Sequence, residues 1–253
     1  MLDLLPAGLP APAYGAFTTR PGGVSLPPYD ALNLALHVDD EWDRVLANRD
    51  LVAAAVGQAR GTLAYAQQVH GTRVAIVERL SSAARDRGIG GVDALVTAVP
   101  GLALAVLAAD CLPVLLADPV AGVVAVAHAG RRGLAGGVLQ ETLAAMAGLG
   151  ATPGDTTAVL GPAACGRCYE LPEALAEQVA AAVPGSRATT RRGKASVDLT
   201  AGADRLLRAA GVVAVTAVGG CTIEQPDRFF SYRRDGVTGR HGGLVRLALP
   251  AHR

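Results

Sequence analysis

A chain of 253 residues can bury a large core, while its formal net charge of +1 excludes a general electrostatic hold on nucleic acid or anionic membrane. It is 51% hydrophobic but only 4% aromatic, so the core must be built from Ala, Val and Leu, and four cysteines are too few for a disulfide framework. Mean hydropathy is +0.32, yet Pro100, Gly101, Asp110 and Pro113 break the richest stretch, Ala94 to Leu116, which leaves no apolar run of the ~18 residues that suggest a membrane span.

The start, MLDLLPAGLPAPAYG, carries Asp3 and prolines without a basic n-region, so no secretory signal is expected and residence is expected to be cytoplasmic. Tyr14 to Arg20 reads as a strand and Arg20 to Asn33, RPGGVSLPPYDALN, as a long Gly/Pro loop of a length that is often functional. Asp39 or Asp40 can cap a helix whose Trp42, Val45, Leu46, Val52 and Val56 recur at helical spacing until Gly57. Strands are predicted near Leu63 to Gln67 and Arg73 to Val77, then a surface loop over Ser81 to Gly91. Ala94 to Val96, Leu102 to Ala108, Val114 to Ala117 and Val123 to Ala127 are apolar on both faces, which suits strands buried between layers. Helices at Val138 to Leu149, Pro172 to Val183 and Ala201 to Ala210 are expected to cover them. A strand at Val212 to Val218, a turn-rich segment from Asp227 to Gly243, a strand at Leu244 to Leu249 and a frayed end at Pro250 to Arg253 complete a mixed α/β pattern in one unit.

Three segments carry the chemistry: QQVHG with His70, ADCLP with Cys111 and VAHAG with His128. One thiolate and two imidazoles are a sufficient ligand set for a zinc ion that keeps a fourth position open. Each alone would read as a core residue; together, each closes a strand-like run before Gly or Pro, where side chains gather at a common rim. If the strand has ended by Pro113, Asp110 is free to orient a ligating histidine or to take a proton from metal-bound water. The rival reading is metal-free, with Cys111 as nucleophile and His128 or His70 as base; the second imidazole favours the metal. Arg20, Arg49, Arg131-Arg132, Arg233-Arg234 and Arg240 offer guanidinium forks for phosphate or carboxylate. Cys165-Gly-Arg-Cys168 has Cys-x-x-Cys spacing, but without a second cysteine pair, and without opening a helix directly after a strand, it reads as neither zinc knuckle nor redox dyad. His37 is expected to pack near the first helix cap.

Taken in order, TTRPGGVS, LNLALHV, NRDLV, QQVHG, DALVT, ADCLPVLLADP, VAHAGRRG, GPAACGRCYE and CTIEQPDRFFSYRRDGVTGR resemble the YfiH-like, or laccase-domain, family over nearly the whole chain. Its members are labelled polyphenol oxidase or purine nucleoside phosphorylase. The resemblance implies a layered α/β/β/α fold with mixed sheets, a single domain over 1–253, and zinc held by His70, Cys111 and His128. It also implies phosphorolysis of adenosine, inosine and methylthioadenosine, and adenosine deamination, both suited to zinc as Lewis acid; copper can substitute in the same site. On that reading Cys111, His70, His128 and Asp110 are catalytic, and Arg20, Asn33, Arg49, Arg233 and Arg240 are candidates to bind substrate or phosphate. The expected partners are purine nucleosides and phosphate, with no nucleic acid and no membrane, and the expected state is a monomer. A non-catalytic small-molecule binding role is the third reading. A multicopper laccase needs about eight histidines for its three-copper cluster and two more beside the blue copper. Five are present, His37, His241 and His252 included, so a copper relay is not expected. Two positions depart from the family pattern: Arg131 stands where Trp is usual, and His241, for which a surface place is expected, stands where an apolar residue is usual.

Overall fold

The four central apolar runs become the strands Ala94–Thr97, Ala103–Ala108, Leu112–Asp118 and Val123–Ala129, and every residue in them is buried. In the computed structural model, which describes residues 2–59 and 61–249, they are divided between two mixed six-stranded sheets. The first sheet runs Leu4–Pro6, Ala13–Thr18, His241–Leu247, Ala103–Ala108, Leu63–Gln67, Ile89–Gly90. The second runs Ala214–Ala217, Thr157–Leu160, Leu112–Asp118, Val123–Ala129, Ala94–Thr97, Val74–Ile76.

Because side chains alternate along a strand, both faces of each sheet need cover. Between the sheets, Phe17, Leu104, Val106 and Val245 meet Leu95, Leu115, Val124 and Val126. The outer face of the second sheet packs Val114, Leu116 and Ala125 against Leu139 and Met146 of the helix Val138–Ala147, Val179 of Glu173–Ala182 and Leu207 of Leu199–Ala209. On the outer face of the first sheet, Leu63, Ala105 and Leu107 meet Leu32 and Leu34 of the long loop, and Val52 of the helix Trp42–Ala55. The layers are α/β/β/α, as the family resemblance implied. Among the described residues no helix is long and apolar enough to cross a membrane.

Several expectations need correction. Ser81 to Gly91 is not all loop: the Ser81 side chain accepts from the Ala84 amide and caps a short helix, Ser82–Arg87, and Ile89–Gly90 pairs with Ala66 and Gln67. Pro113 does not mark a strand's end but sits inside Leu112–Asp118, opposite His128. The first helix begins after Glu41, which has no side-chain cap bond; Asp40 instead accepts the Glu41 amide. The closing strand begins early, at His241. Arg131–Gly136 is a helix that its glycines had hidden. Pro250 to Arg253, with His252, lies outside the described residues.

Candidate metal centre

Two of the three candidate ligands lie where the chain crosses between sheets. His70 follows Leu63–Gln67 of the first sheet and precedes Val74–Ile76 of the second, and Cys111 joins Ala103–Ala108 to Leu112–Asp118. His128 belongs to Val123–Ala129 in the second sheet. One nitrogen of each imidazole and the Cys111 sulfur lie within 4.8 Å of one another, and the two rings meet edge to face at 80°.

Asp93, fully buried, organises this cluster. Its carboxylate accepts from the backbone amides of Val69 at 3.2 Å, His70 at 2.9 Å and Gly71 at 2.7 Å, and it faces His128 Nδ1 at 2.9 Å. With Nδ1 so engaged, His128 turns Nε2 toward the cluster, the arrangement in which a carboxylate fixes the tautomer of a ligating histidine. Burial pushes the Asp93 carboxyl up, but the His128 and Gly71 hydrogen bonds outweigh it and hold it below its ordinary value. The same amides stabilise His70 at φ 59°, a left-handed backbone uncommon outside glycine. Next to His128 is Gly130, where a Cβ would stand 2.9 Å from Cys111 Sγ and 3.0 Å from His70 Cδ2. That space is kept for the ligands.

Burial would raise the Cys111 thiol, yet His128 and then His70 overcome it and bring it to about 6. Burial likewise opposes a charged His128, but Cys111 and Asp93 carry it up to about 9. Each partner thus favours the charged form of the other, thiolate beside imidazolium. Soft thiolate beside two imidazoles suits zinc, or copper, and three protein ligands leave a position for a fourth.

The cluster opens into a pocket of about 540 Å³ lined also by His37, Gln68, Asp110, Arg131, Arg132, Tyr169, Tyr232, Arg233 and Arg240. Asp110 has φ 95°, and its carboxylate accepts from Thr222 Oγ1 and the Arg233 amide, both at 2.6 Å. The carboxylate that holds His128 is thus Asp93 rather than Asp110, which still faces the pocket. Arg233 stacks over Tyr169 with 4.9 Å to the ring centroid and donates to the Glu170 carbonyl. Arg240 stacks over Tyr232. Arg49 opens instead onto an adjoining pocket of about 520 Å³ that shares His37, Gln68 and Leu107; it lies 3.9 Å over the Tyr65 ring and donates to the Leu34 carbonyl.

Besides Arg49, two further candidates are not brought to the metal pocket. Arg20 is tied to Asp30 through both its backbone carbonyl and its carboxylate, and Asn33 is fully buried, linking Ala35, Asp40 and the Arg240 amide; both organise the long loop. His37 lines both pockets beyond the three-ligand cluster. His241 is not at the surface: it is fully buried beside Phe229, away from the cluster. Asp93, Gln68, Tyr169 and Tyr232 were not among the expected site residues. The one signal for Asp93 was a carboxylate at the head of an apolar run, DALVT.

Residues 14–248 match the family model described as multi-copper polyphenol oxidoreductase laccase. The chain belongs to this laccase-domain family. It is 52% identical, over 93% of its length and 94% of the relative's, to a Streptomyces griseus protein named purine nucleoside phosphorylase ORF3. Among solved structures it is similar to a Neisseria meningitidis protein of DUF152 (39% identity, TM-score 0.85, 98% of this chain and 100% of that one). It is also similar to the Bacillus licheniformis hypothetical protein YfiH (31% identity, TM-score 0.85, 93% and 92%). Among the described residues, only one potential metal cluster contains histidine, and it contains two.

Proposed function

We propose that the protein is a zinc-dependent purine nucleoside phosphorylase acting on adenosine, inosine and methylthioadenosine. The observation that carries this reading is the open His70, Cys111, His128 cluster at the floor of a pocket lined by arginines and tyrosines. The name carried by the Streptomyces griseus relative supports it. When bound, zinc supplies Lewis acidity and a free coordination position at that floor. Arg131, Arg233 and Arg240 supply fixed positive charge for phosphate, and Tyr169 and Tyr232 supply aromatic surface for a purine. Phosphorolysis forms a bond from a phosphate oxygen to the sugar's anomeric carbon while the bond to the purine nitrogen breaks and its electron pair leaves with the base. Holding phosphate against that carbon is an orientation task, which guanidinium groups perform well. Asp110 is the one carboxylate among the lining residues, and on this reading it exchanges a proton with the bound reactants.

A second reading has one observation in its favour. Asp93 holds His128 beside Cys111, the series a cysteine hydrolase uses. The experiment is to incubate protein with adenosine, with and without phosphate, before and after chelation. Phosphorolysis gives adenine and ribose 1-phosphate only with phosphate, and none after chelation or in Cys111→Ala. Inosine in both arms would mark deamination as a further activity of the same centre. Turnover indifferent to chelator would establish the hydrolase reading instead, and no turnover of any nucleoside would refute both enzyme readings for this substrate class.

A further inference from the structure

The Cys-x-x-Cys segment that lacked a second cysteine pair in the sequence gains partners from the fold. Cys165 and Cys168 follow the strand Thr157–Leu160; Cys221 and Glu224 follow its parallel neighbour Ala214–Ala217. An isolated parallel bridge between Ala163 and Cys221 brings the two loops together. The three sulfurs and a Glu224 carboxylate oxygen all lie within 4.8 Å of one another. A tetrahedral zinc ion with bonds of about 2.3 Å to sulfur needs its sulfur ligands about 3.8 Å apart, and Cys168 Sγ already meets Glu224 Oε1 at 3.1 Å, so small shifts of these side chains complete the site.

From this we infer that Cys165, Cys168, Cys221 and Glu224 form a second, structural zinc site, closed by four protein ligands. The surroundings are those of a built site. The Cys165 amide donates to Cys221 Sγ at 3.4 Å and the Arg167 amide faces the Cys165 sulfur, so backbone amides already point at two of the sulfurs. Arg191 meets Glu224 Oε1 at 2.5 Å and offsets the charge of a thiolate-rich centre. Gly166, between the paired cysteines, admits no side chain: a Cβ there would stand 2.8 Å from both Ala188 and Asp198 Cβ atoms. Cys221 is buried, whereas Glu224 reaches the surface, which gives an ion a way in.

The site would brace the wall of the pocket. Tyr169 directly follows Cys168 and lines the pocket; Thr222 directly follows Cys221 and donates to Asp110; the Ala164 amide, next to Cys165, donates to the Asp110 carbonyl at 3.0 Å. One ion there clamps both loops behind Asp110 and Tyr169.

The test uses the full chain purified under reducing conditions, stripped of metal and titrated with cobalt(II). Wild type should take up two equivalents, and Cys111→Ala one. In Cys111→Ala the bound cobalt should show thiolate charge-transfer absorption of three sulfurs with tetrahedral ligand-field bands, and Glu224→Gln in that background should shift those bands. Zinc should raise the melting temperature of Cys111→Ala, and a Cys168→Ser, Cys221→Ser double variant should keep the one equivalent at the His70, Cys111, His128 centre. A Cys111→Ala protein that binds no cobalt, or binds it without charge-transfer absorption, would overturn the inference. So would a mass two hydrogens light in the reduced protein, which would mean a disulfide among these cysteines. Failure of the catalytic zinc centre is a separate result, since wild type and Cys111→Ala would then bind the same single equivalent.

Discussion

Gly130 occupies a place where even a methyl group meets two candidate ligands, so its role is to be absent as a side chain. Gly130→Ala is expected to weaken zinc binding between about 10- and 100-fold, the range for disturbances next to ligands, while the fold persists; competition with a chromophoric chelator measures it. Protonation gives a second expectation. With His128 raised to about 9 and Cys111 lowered to about 6, metal binding at pH 7 must expel about one proton, from His128. Apparent affinity should therefore climb from pH 7 to 9 and flatten above it, and steepen below 6, where Cys111 must release a proton too. A flat profile between 7 and 9 would contradict the thiolate–imidazolium pair. His70, Cys111 and His128 were legible as candidate ligands because each closes an apolar run before Gly or Pro, and the fold brings them together. Asp93 was not: its partners are amides 22 to 24 residues away, a relation with no spacing signature. Nor could Arg20 and Asn33 be separated by sequence from the arginines that face the pocket, since their partners come from loop folding.

The helix Arg131–Gly136 shows what tertiary contact does to weak local preference. Glycines are poor helix formers, and the two in RRGLAG offset the favourable Arg, Leu and Ala, so the local preference for a helix is weak. It lies close against the His70 loop, which explains the glycine: a Cβ on Gly133 would stand 2.7 Å from the Gly71 carbonyl oxygen, a backbone atom that cannot swing aside. Gly133→Ala is expected to cost about 1–3 kcal/mol by overpacking and also to weaken metal uptake, because His70 moves with Gly71. Urea unfolding and metal titration on the same sample check both; loss of stability with unchanged uptake would uncouple helix and ligand. Elements with strong periodicity were legible to within a few residues, as at Leu63–Gln67 and Glu173–Ala182. The short strands Leu4–Pro6, Thr157–Leu160, Arg187–Thr189 and Ala195–Val197 were not read, because three or four residues carry too little pattern without their neighbours.

At the scale of the molecule, apolarity on both strand faces foretold a buried sheet, but not that the four central runs would be split between two sheets. Burial looks the same against a helix or another sheet. In the layer between the sheets Leu115 is wholly buried, with Phe17, Val106 and Val126 in the same cluster. Leu115→Ala is expected to cost about 2–5 kcal/mol in denaturant unfolding, since small aliphatic neighbours leave little material to refill the void. A loss below 1 kcal/mol would mean that the sheets close over the gap. One further consequence follows from His70 and Cys111 standing on sheet-to-sheet crossings while His128 sits within the second sheet. On the zinc reading, a chain whose halves have not yet docked has no place for the ion, and occupancy of the centre would certify completed assembly. Because an ion held only by the native state stabilises that state by mass action, metal supply should set how long a newly made molecule survives as well as how fast it works.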